Sequence, residues 1–414
     1  MGKIKNFDIQ FANANGVFYS GQQVIGKVLL HLTDSMKIKN IRIKFMGECK
    51  VDFEDQKKSS KRHTERTAYF EQVDVLFGSA DTSLVEGGSQ MEAGSHELPF
   101  VFNSPTFLPS SYEHKMGFVR YTAKAYLSRR LAMERTTKKA FSMVGLVDLN
   151  TLPEAFQPAY AQADRRFSLS DRLLCCVNGG LSVRLRLPRA AYVPGETIPI
   201  SAEIDNHSTL RVKKVKAYLQ QNLIFSSKSG SRFVKGEEQI GLVSQGEVKY
   251  GQSQVWSDEK LDLPPLPPTG LGGCKLINVT YLLNFIVEMA GSENVPLTVP
   301  IVIGTVPLRE APTASASPPK YAPPRPPPLK LPPSPPTSQA VPSAPPMPEN
   351  PWGFPAAEEG PGPSAPPFIG PPPSYEECLF MQAGDLADEE AEEASGDATY
   401  RPLYPTFALQ QMTH

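Results

Sequence analysis

Residues 24–45 read VIGKVLLHLTDSMKIKNIRIKF, and two runs of period two lie inside them. Val24, Gly26, Val28, Leu30 and Leu32 share one parity, and Ile41, Ile43 and Phe45 form the next run. In an extended chain the side chains at i and i+2 fall on one face, so each run reads as a half-buried strand. Phe7, Ile9 and Phe11 carry the same pattern, as do Leu98, Phe100 and Phe102, and later Val119, Tyr121, Ala123, Ala125 and Leu127. Few windows show a helical period. Short strands parted by Gly, Pro, Asn and Ser clusters predict an all-β chain of immunoglobulin-like antiparallel sandwiches.

The same stretch occurs twice. Val24, Leu30, Ile38, Lys39 and Ile41 recur 174 positions later as Ile198, Ile204, Val212, Lys213 and Val215, with Gly21 matched by Gly195. Val119 and Tyr121 recur as Val279 and Tyr281 at an offset of 160, and Gly145 and Val147 as Gly304 and Val306 at 159. Three blocks in one order predict two related sandwiches, with an insertion in the first copy. It fits either the charged stretch 54–66 or the Gly/Ser-rich stretch near Gly87. The expected organisation is a first sandwich over 1–150, a polar linker over 151–179, a second sandwich over 180–310 and a tail over 311–414.

The tail differs in composition. Of 42 prolines in 414 residues, 27 fall in the last 104. Those 104 residues hold four Lys/Arg against twelve Asp/Glu, about −8, which leaves about +7 for the rest of a chain whose net charge is −1. Runs such as Pro323-Pro324-Arg325-Pro326-Pro327-Pro328 favour polyproline II, whose backbone is solvated. Low apolar content cannot offset ordering entropy, so disorder is expected over the whole tail.

No stretch reaches the roughly 18 consecutive apolar residues of a membrane span, and residues 1–6 lead into an alternating pattern rather than a signal-peptide block. Five scattered cysteines (Cys49, Cys175, Cys176, Cys274, Cys378) suit a reducing compartment. A cytoplasmic chain is the expectation. Phosphate-cradling Gly loops, paired metal-ligand histidines, CxxC couples and GxSxG elbows are absent from the sequence, and the six histidines stand at no ligand spacing. The reading is therefore of a protein that is not an enzyme and has neither metal nor cofactor.

Specific chemistry is concentrated in the tail. Pro372-Pro373-Ser374-Tyr375 is a PPxY sequence, the kind that WW domains read by docking the proline pair in an aromatic groove and the tyrosine ring in an adjacent pocket. Pro342-Ser343-Ala344-Pro345 and Pro363-Ser364-Ala365-Pro366 are two PSAP sequences, candidate ligands for the ubiquitin-variant domain of a sorting-complex subunit. Weaker matches are Tyr404-Pro405 with Leu409, Arg401-Pro402-Leu403-Tyr404, and an SH3-type ligand at 320–326. Basic clusters at Lys57, Lys58, Lys61, Arg62 and Arg66, at Arg129, Arg130, Arg135, Lys138 and Lys139, and at Arg211, Lys213, Lys214 and Lys216 suit acidic lipids or phosphorylated tails, against the plainer reading of a solvated face. They lack the interleaved aromatics of a nucleic-acid surface. Cys175-Cys176 is a candidate palmitoylation pair, the alternative being an ordinary thiol pair.

Together the two β repeats, Tyr192-Val193-Pro194-Gly195-Glu196, Leu174-Cys175-Cys176, residues 302–308 (VIGTVPL) and the PPxY tail resemble the arrestin domain-containing proteins, or alpha-arrestins. The body is similar to the branch holding members two to four, and the tail motifs to member one. The resemblance implies an arrestin-type pair of sandwiches acting as an adaptor. The body would engage cytoplasmic tails of membrane receptors or transporters. Pro372, Pro373 and Tyr375 would recruit NEDD4-type HECT ubiquitin ligases, and the PSAP pair a Tsg101-like sorting subunit. It also implies recruitment from cytoplasm to plasma membrane and endosomes. Family tails often hold two PPxY copies, and this one holds a single copy. Two readings from other classes stand beside it. One is an adhesion sandwich with a spacer tail, for which a glycan at Asn206 or Asn278 would speak; the other is a hydrolase with a cryptic site, testable at Cys49 and Cys274.

Overall fold

The computed structural model describes residues 3–54, 62–79, 88–130, 132–167, 179–230, 233–309, 373–386 and 394–407. The alternation in residues 24–45 becomes burial directly. Strand Gln23–Leu32 alternates buried and half-exposed residues along its length, with Val24, Val28, Leu30 and Leu32 in the core. It is the middle strand of a three-stranded sheet, flanked antiparallel by Ile4–Phe11 and Gly94–Asn103. The facing sheet runs in the order Val17–Tyr19, Arg135–Val144, Gly117–Ser128, Asn40–Glu54, Arg62–Gly78. Phenylalanines close the space between the two sheets: Phe11 meets Phe18, Phe100 and Phe141 edge-on, and Phe45 stacks on Phe102 at 4.6 Å. Gly26 stands on the apolar face because a Cβ there would lie 2.4 Å from the Gln10 carbonyl and 2.5 Å from the Phe100 ring.

The second sandwich repeats this plan. Four strands, Ala159–Arg166, Gly180–Leu187, Thr197–Asn206 and Gln252–Asp262, oppose a sheet ordered Ala191–Tyr192, Val295–Ile303, Ile277–Met289, Val212–Ser226, Phe233–Gln245. Its core includes Trp256, edge-on to Phe285 at 5.1 Å. The equivalence reaches single hydrogen bonds. Gln22 N–H donates to the Tyr19 carbonyl and Glu196 N–H to the Val193 carbonyl, with Gly21 (φ 87°) and Gly195 (φ 90°) in the left-handed position of each turn. In each turn the fourth side chain accepts the first residue's N–H: Gln22 from Tyr19 at 2.9 Å and Glu196 from Val193 at 2.8 Å. Tyr121 donates its hydroxyl to the Pro109 carbonyl and Tyr281 to the Pro267 carbonyl, both at 2.7 Å. The extra residues of the first copy lie mainly between Gly78 and Gly94, a connection of fifteen residues against six between Gln245 and Gln252. That is the stretch near Gly87, while the 54–66 hairpin is nearly matched in length.

Two expectations are corrected. The segment 151–179 is not all linker: after two short 3-10 turns, Ala159–Arg166 pairs antiparallel with Gly180–Leu187 and sets Ala159, Ala161 and Ala163 against the core. Small apolar residues alternating with Tyr160, Gln162 and Asp164 give a weak strand signal, and pairing with a strong neighbour overrides it. The tail, expected to lack packing throughout, is ordered on the body over 373–386 and 394–407. Averaged over 104 residues its apolar content is low, but Tyr375, Cys378, Met381, Leu386, Tyr400, Leu403, Tyr404 and Phe407 are concentrated in its last stretch. Residues 310–372 lie outside the described residues.

The third repeat block forms the junction between the sandwiches. Thr305 N–H donates to the Val147 carbonyl at 2.9 Å, Val147 N–H donates to the Thr305 hydroxyl at 2.8 Å, and that hydroxyl donates to the Gly145 carbonyl at 3.0 Å. Gly145 and Gly304 permit the approach: a Cβ on Gly145 would meet the Leu108 carbonyl at 2.8 Å, and one on Gly304 the Leu149 side chain at 2.5 Å. His114 stacks on Phe225 at 4.8 Å across the same junction. Replacing Thr305 by Val keeps the shape but strands a buried N–H and carbonyl. It is expected to cost about 1–3 kcal/mol of stability, read as a lower urea midpoint with an unchanged slope.

Candidate functional site

Strand Ser374–Glu377 carries the tyrosine of the PPxY sequence and pairs antiparallel with Leu403–Thr406, Tyr375 opposite Pro405. Alternation decides which side chains leave the surface. Ser374, Glu376 and Glu377 are exposed, whereas Tyr375 and Leu403 pack on an apolar patch of the first sandwich made by Val17, Tyr19 and Val144. That patch is the edge of the larger sheet, where Val17–Tyr19 runs parallel to the end of Arg135–Val144. Burial, and then the neighbouring Tyr375 hydroxyl, push the Tyr19 phenol far above its ordinary range. Pro373 is partly buried.

Tyr375 is only half-buried, and the deeper anchors follow it. Tyr404 is buried and donates its hydroxyl to the Ser111 carbonyl at 2.7 Å. Tyr400 donates to the Phe141 carbonyl at 3.1 Å and lies 2.9 Å from the Ser142 hydroxyl, which in turn accepts the Leu403 N–H at 2.9 Å. Phe407 reaches the second sandwich: its N–H donates to the Pro194 carbonyl at 2.9 Å, and its ring joins Leu149, Ala155, Ala191 and Val193. Here Gly195 is again required, since a Cβ on it would lie 2.5 Å from the Phe407 carbonyl oxygen. Ala394–Gly396 adds a short parallel strand to Arg135–Val144.

A charged contact holds the middle of the tail. Arg120 and Glu113 form a buried two-bond ion pair, 2.7 and 2.8 Å, on the outer face of the larger sheet. The remaining Arg120 nitrogen donates to the Asp385 carbonyl at 2.8 Å. Burial raises the Glu113 carboxyl and the Arg120 guanidinium works against that. Gly384 is needed beside them, because a Cβ would sit 2.2 Å from the Glu113 carboxylate. Lys138 likewise donates to the Leu386 carbonyl at 3.2 Å. Sequence reasoning missed Arg120; its signal is a lone cation alternating with the buried Val119 and Tyr121.

Among the sequence-derived candidates, the structure describes Pro373 and Tyr375. Pro372, both PSAP sequences (342–345 and 363–366) and Cys175-Cys176 lie outside the described residues, as do Lys57, Lys58 and Lys61. Tyr404, the tyrosine of the two weaker tail matches, is a buried anchor rather than a free ligand. The basic clusters are partly neutralised. Arg62 pairs with Asp52 at 2.6 Å, Arg66 with Glu48, Arg211 with Glu247 at 3.6 Å and Lys216 with Glu288 at 2.6 Å. Exposed ion pairs of this kind leave less net field for lipid than the bare residue count implies. Asn206 is fully buried and donates its amide to the Leu210 carbonyl at 2.7 Å, so the folded chain does not present it to a glycan-transferring enzyme. Asn278 is exposed.

Comparison with known proteins agrees with this architecture. The model of the arrestin (or S-antigen) N-terminal domain matches residues 7–150, and that of the arrestin C-terminal domain matches 178–308. The chain is 28% identical over 316 residues to arrestin domain-containing protein 17 of Caenorhabditis elegans, covering 74% of this chain and 72% of that protein. It is 27% identical over 316 residues to human arrestin domain-containing protein 4, with 74% and 72% covered. It is 28% identical over 304 residues to human thioredoxin-interacting protein, with 73% and 75% covered. With both domain models in order on the two sandwiches, and relatives that share them, the chain belongs to the arrestin domain-containing, or alpha-arrestin, family.

Proposed function

We propose that this chain is a non-enzymatic trafficking adaptor: the sandwiches engage membrane receptors or transporters, and the tail recruits NEDD4-type ubiquitin ligases through Pro372, Pro373 and Tyr375. The single observation that carries the reading is one chain joining an arrestin body to a PPxY tyrosine held at the surface, half-buried, with exposed residues on either side. Bringing ligase and cargo onto one scaffold raises their mutual effective concentration, so ubiquitylation, endocytosis and endosomal sorting need no catalytic group on the adaptor. The PSAP pair at 342–345 and 363–366 adds a route to a Tsg101-like subunit and vesicle budding.

A WW domain reads polyproline II and encloses the tyrosine ring. In the docked strand that ring faces Val17, Tyr19 and Val144 instead. Capture therefore competes with docking, and the apparent affinity falls by the fraction of chains that are undocked. Each 1.4 kcal/mol or so of docking free energy weakens capture about tenfold.

Replacing Tyr375 by Ala is expected to abolish pulldown by a WW-domain array, and undiminished capture would overturn the assignment. Replacing Leu403 by Asp puts a charge against the apolar patch and is expected to raise capture of the intact PPxY by about tenfold. Capture equal to wild type would mean that docking and ligase binding do not compete. Changing Pro345 and Pro366 together to Ala is expected to cut vesicle release without altering WW pulldown; normal release counts against the PSAP assignment.

A further inference from the structure

We propose that Cys49 and Cys274 form a reversible disulfide that staples the two sandwiches together when the chain meets a peroxide. The two residues are 225 positions apart, yet their Sγ atoms lie 3.7 Å from each other. Cys49 is buried on strand Asn40–Glu54 of the first sandwich. Cys274 follows the Thr269–Gly272 turn of the second sandwich, just before strand Ile277–Met289, and is partly exposed. Tyr69, on strand Arg62–Gly78, donates its hydroxyl to the Cys274 sulfur at 3.4 Å.

A disulfide needs the sulfurs at about 2.05 Å, so one side must give. The backbone before Cys274 is suited to that. Gly272 (φ 77°) and Gly273 (φ 112°) precede it in left-handed conformations, and a Cβ placed on Gly273 would meet nothing within 4 Å. Cys49, by contrast, is fixed in the middle of a sheet between Gly117–Ser128 and Arg62–Gly78.

The surroundings assign the two sulfurs different roles. Cys274 is drawn down by its hydrogen bond with Cys49, helped by the Tyr69 hydroxyl and the backbone N–H groups of Ile277 and Leu276, against its burial. Cys49 moves the other way, held protonated by the same shared hydrogen bond and by burial. The partly exposed thiolate is the nucleophile that meets the oxidant. Its sulfur attacks one oxygen of hydrogen peroxide and the O–O bond breaks. The released hydroxide takes up the proton Cys274 has lost and leaves as water, giving a sulfenic acid on Cys274. Cys49 sulfur then attacks Cys274 Sγ, the S–O bond breaks, and hydroxide leaves with the Cys49 proton as a second water. In sum two thiols and one peroxide give one disulfide and two waters. Cys378, buried and pushed up to about 11, is poorly placed to compete.

The test uses the purified full chain treated with equimolar hydrogen peroxide. Trypsin without reductant should release peptides 45–50 and 261–275 joined, two hydrogens lighter than their sum. Titratable thiols should fall from the five of the sequence to three and return to five with dithiothreitol. In the variant Cys49→Ser, Cys274 should stop as a sulfenic acid trapped by dimedone, with no joined peptide. Five thiols remaining after peroxide would overturn the proposal. So would Cys274 joined to any other cysteine, or a Cys274 sulfenic acid persisting in the wild-type chain beside a free Cys49. None of these readouts depends on the ligase, so the result stands apart from the adaptor reading.

Discussion

Each repeat completes its hydrogen bonding on the other. The residues after the last strand of each sandwich, Gly145 to Asn150 and Gly304 to Pro307, meet so that their backbone groups, the Thr305 hydroxyl and the Asn150 amide satisfy one another. Buried backbone groups without partners are costly, so the two sandwiches can pack this closely only because Val147, Thr305 and Gly145 partner one another. Glycine at both crossing points is the condition for so close an approach, and this explains why the repeated block contains it twice.

The tail depends on that junction. Tyr375 and Leu403 rest on the first sandwich, Phe407 rests on the second, and Leu149 of the crossing segment contributes to the cluster that receives Phe407. A segment that touches both bodies senses any change in their relation, and the Cys49–Cys274 pair spans them in the same way. The Arg120–Glu113 pair fits this logic. A buried ion pair is favourable only with its remaining valences filled, and the Asp385 carbonyl of the tail fills one of them.

The repeat was legible because its signal is local. Alternation reports one buried face, and a turn that needs a left-handed residue places Gly21 and Gly195 at one offset. The strand Ala159–Arg166 was illegible because its alanines bury little and its register comes from the neighbouring strand. The tail was misread at its end because composition averages over proline-rich and aromatic stretches alike, whereas packing needs only a few anchors at the right spacing. Tyr404 makes the point: inside a weak linear motif it looks like a ligand, and its hydroxyl is in fact spent on the Ser111 carbonyl.

By itself the sequence determined two β-sandwiches in tandem, the existence of extra residues in the first but not their place, and the presence of a PPxY tyrosine, because period, turn chemistry and short motifs are written within a few residues of each other. Which residues from distant parts of the chain meet was decided only in three dimensions: Val147 with Thr305, Cys49 with Cys274, Arg120 with Asp385, Tyr375 with Tyr19. The reason is physical. Each contact joins positions more than a hundred residues apart, and what brings them together is the burial of whole sheet faces, to which the contacting residues contribute little.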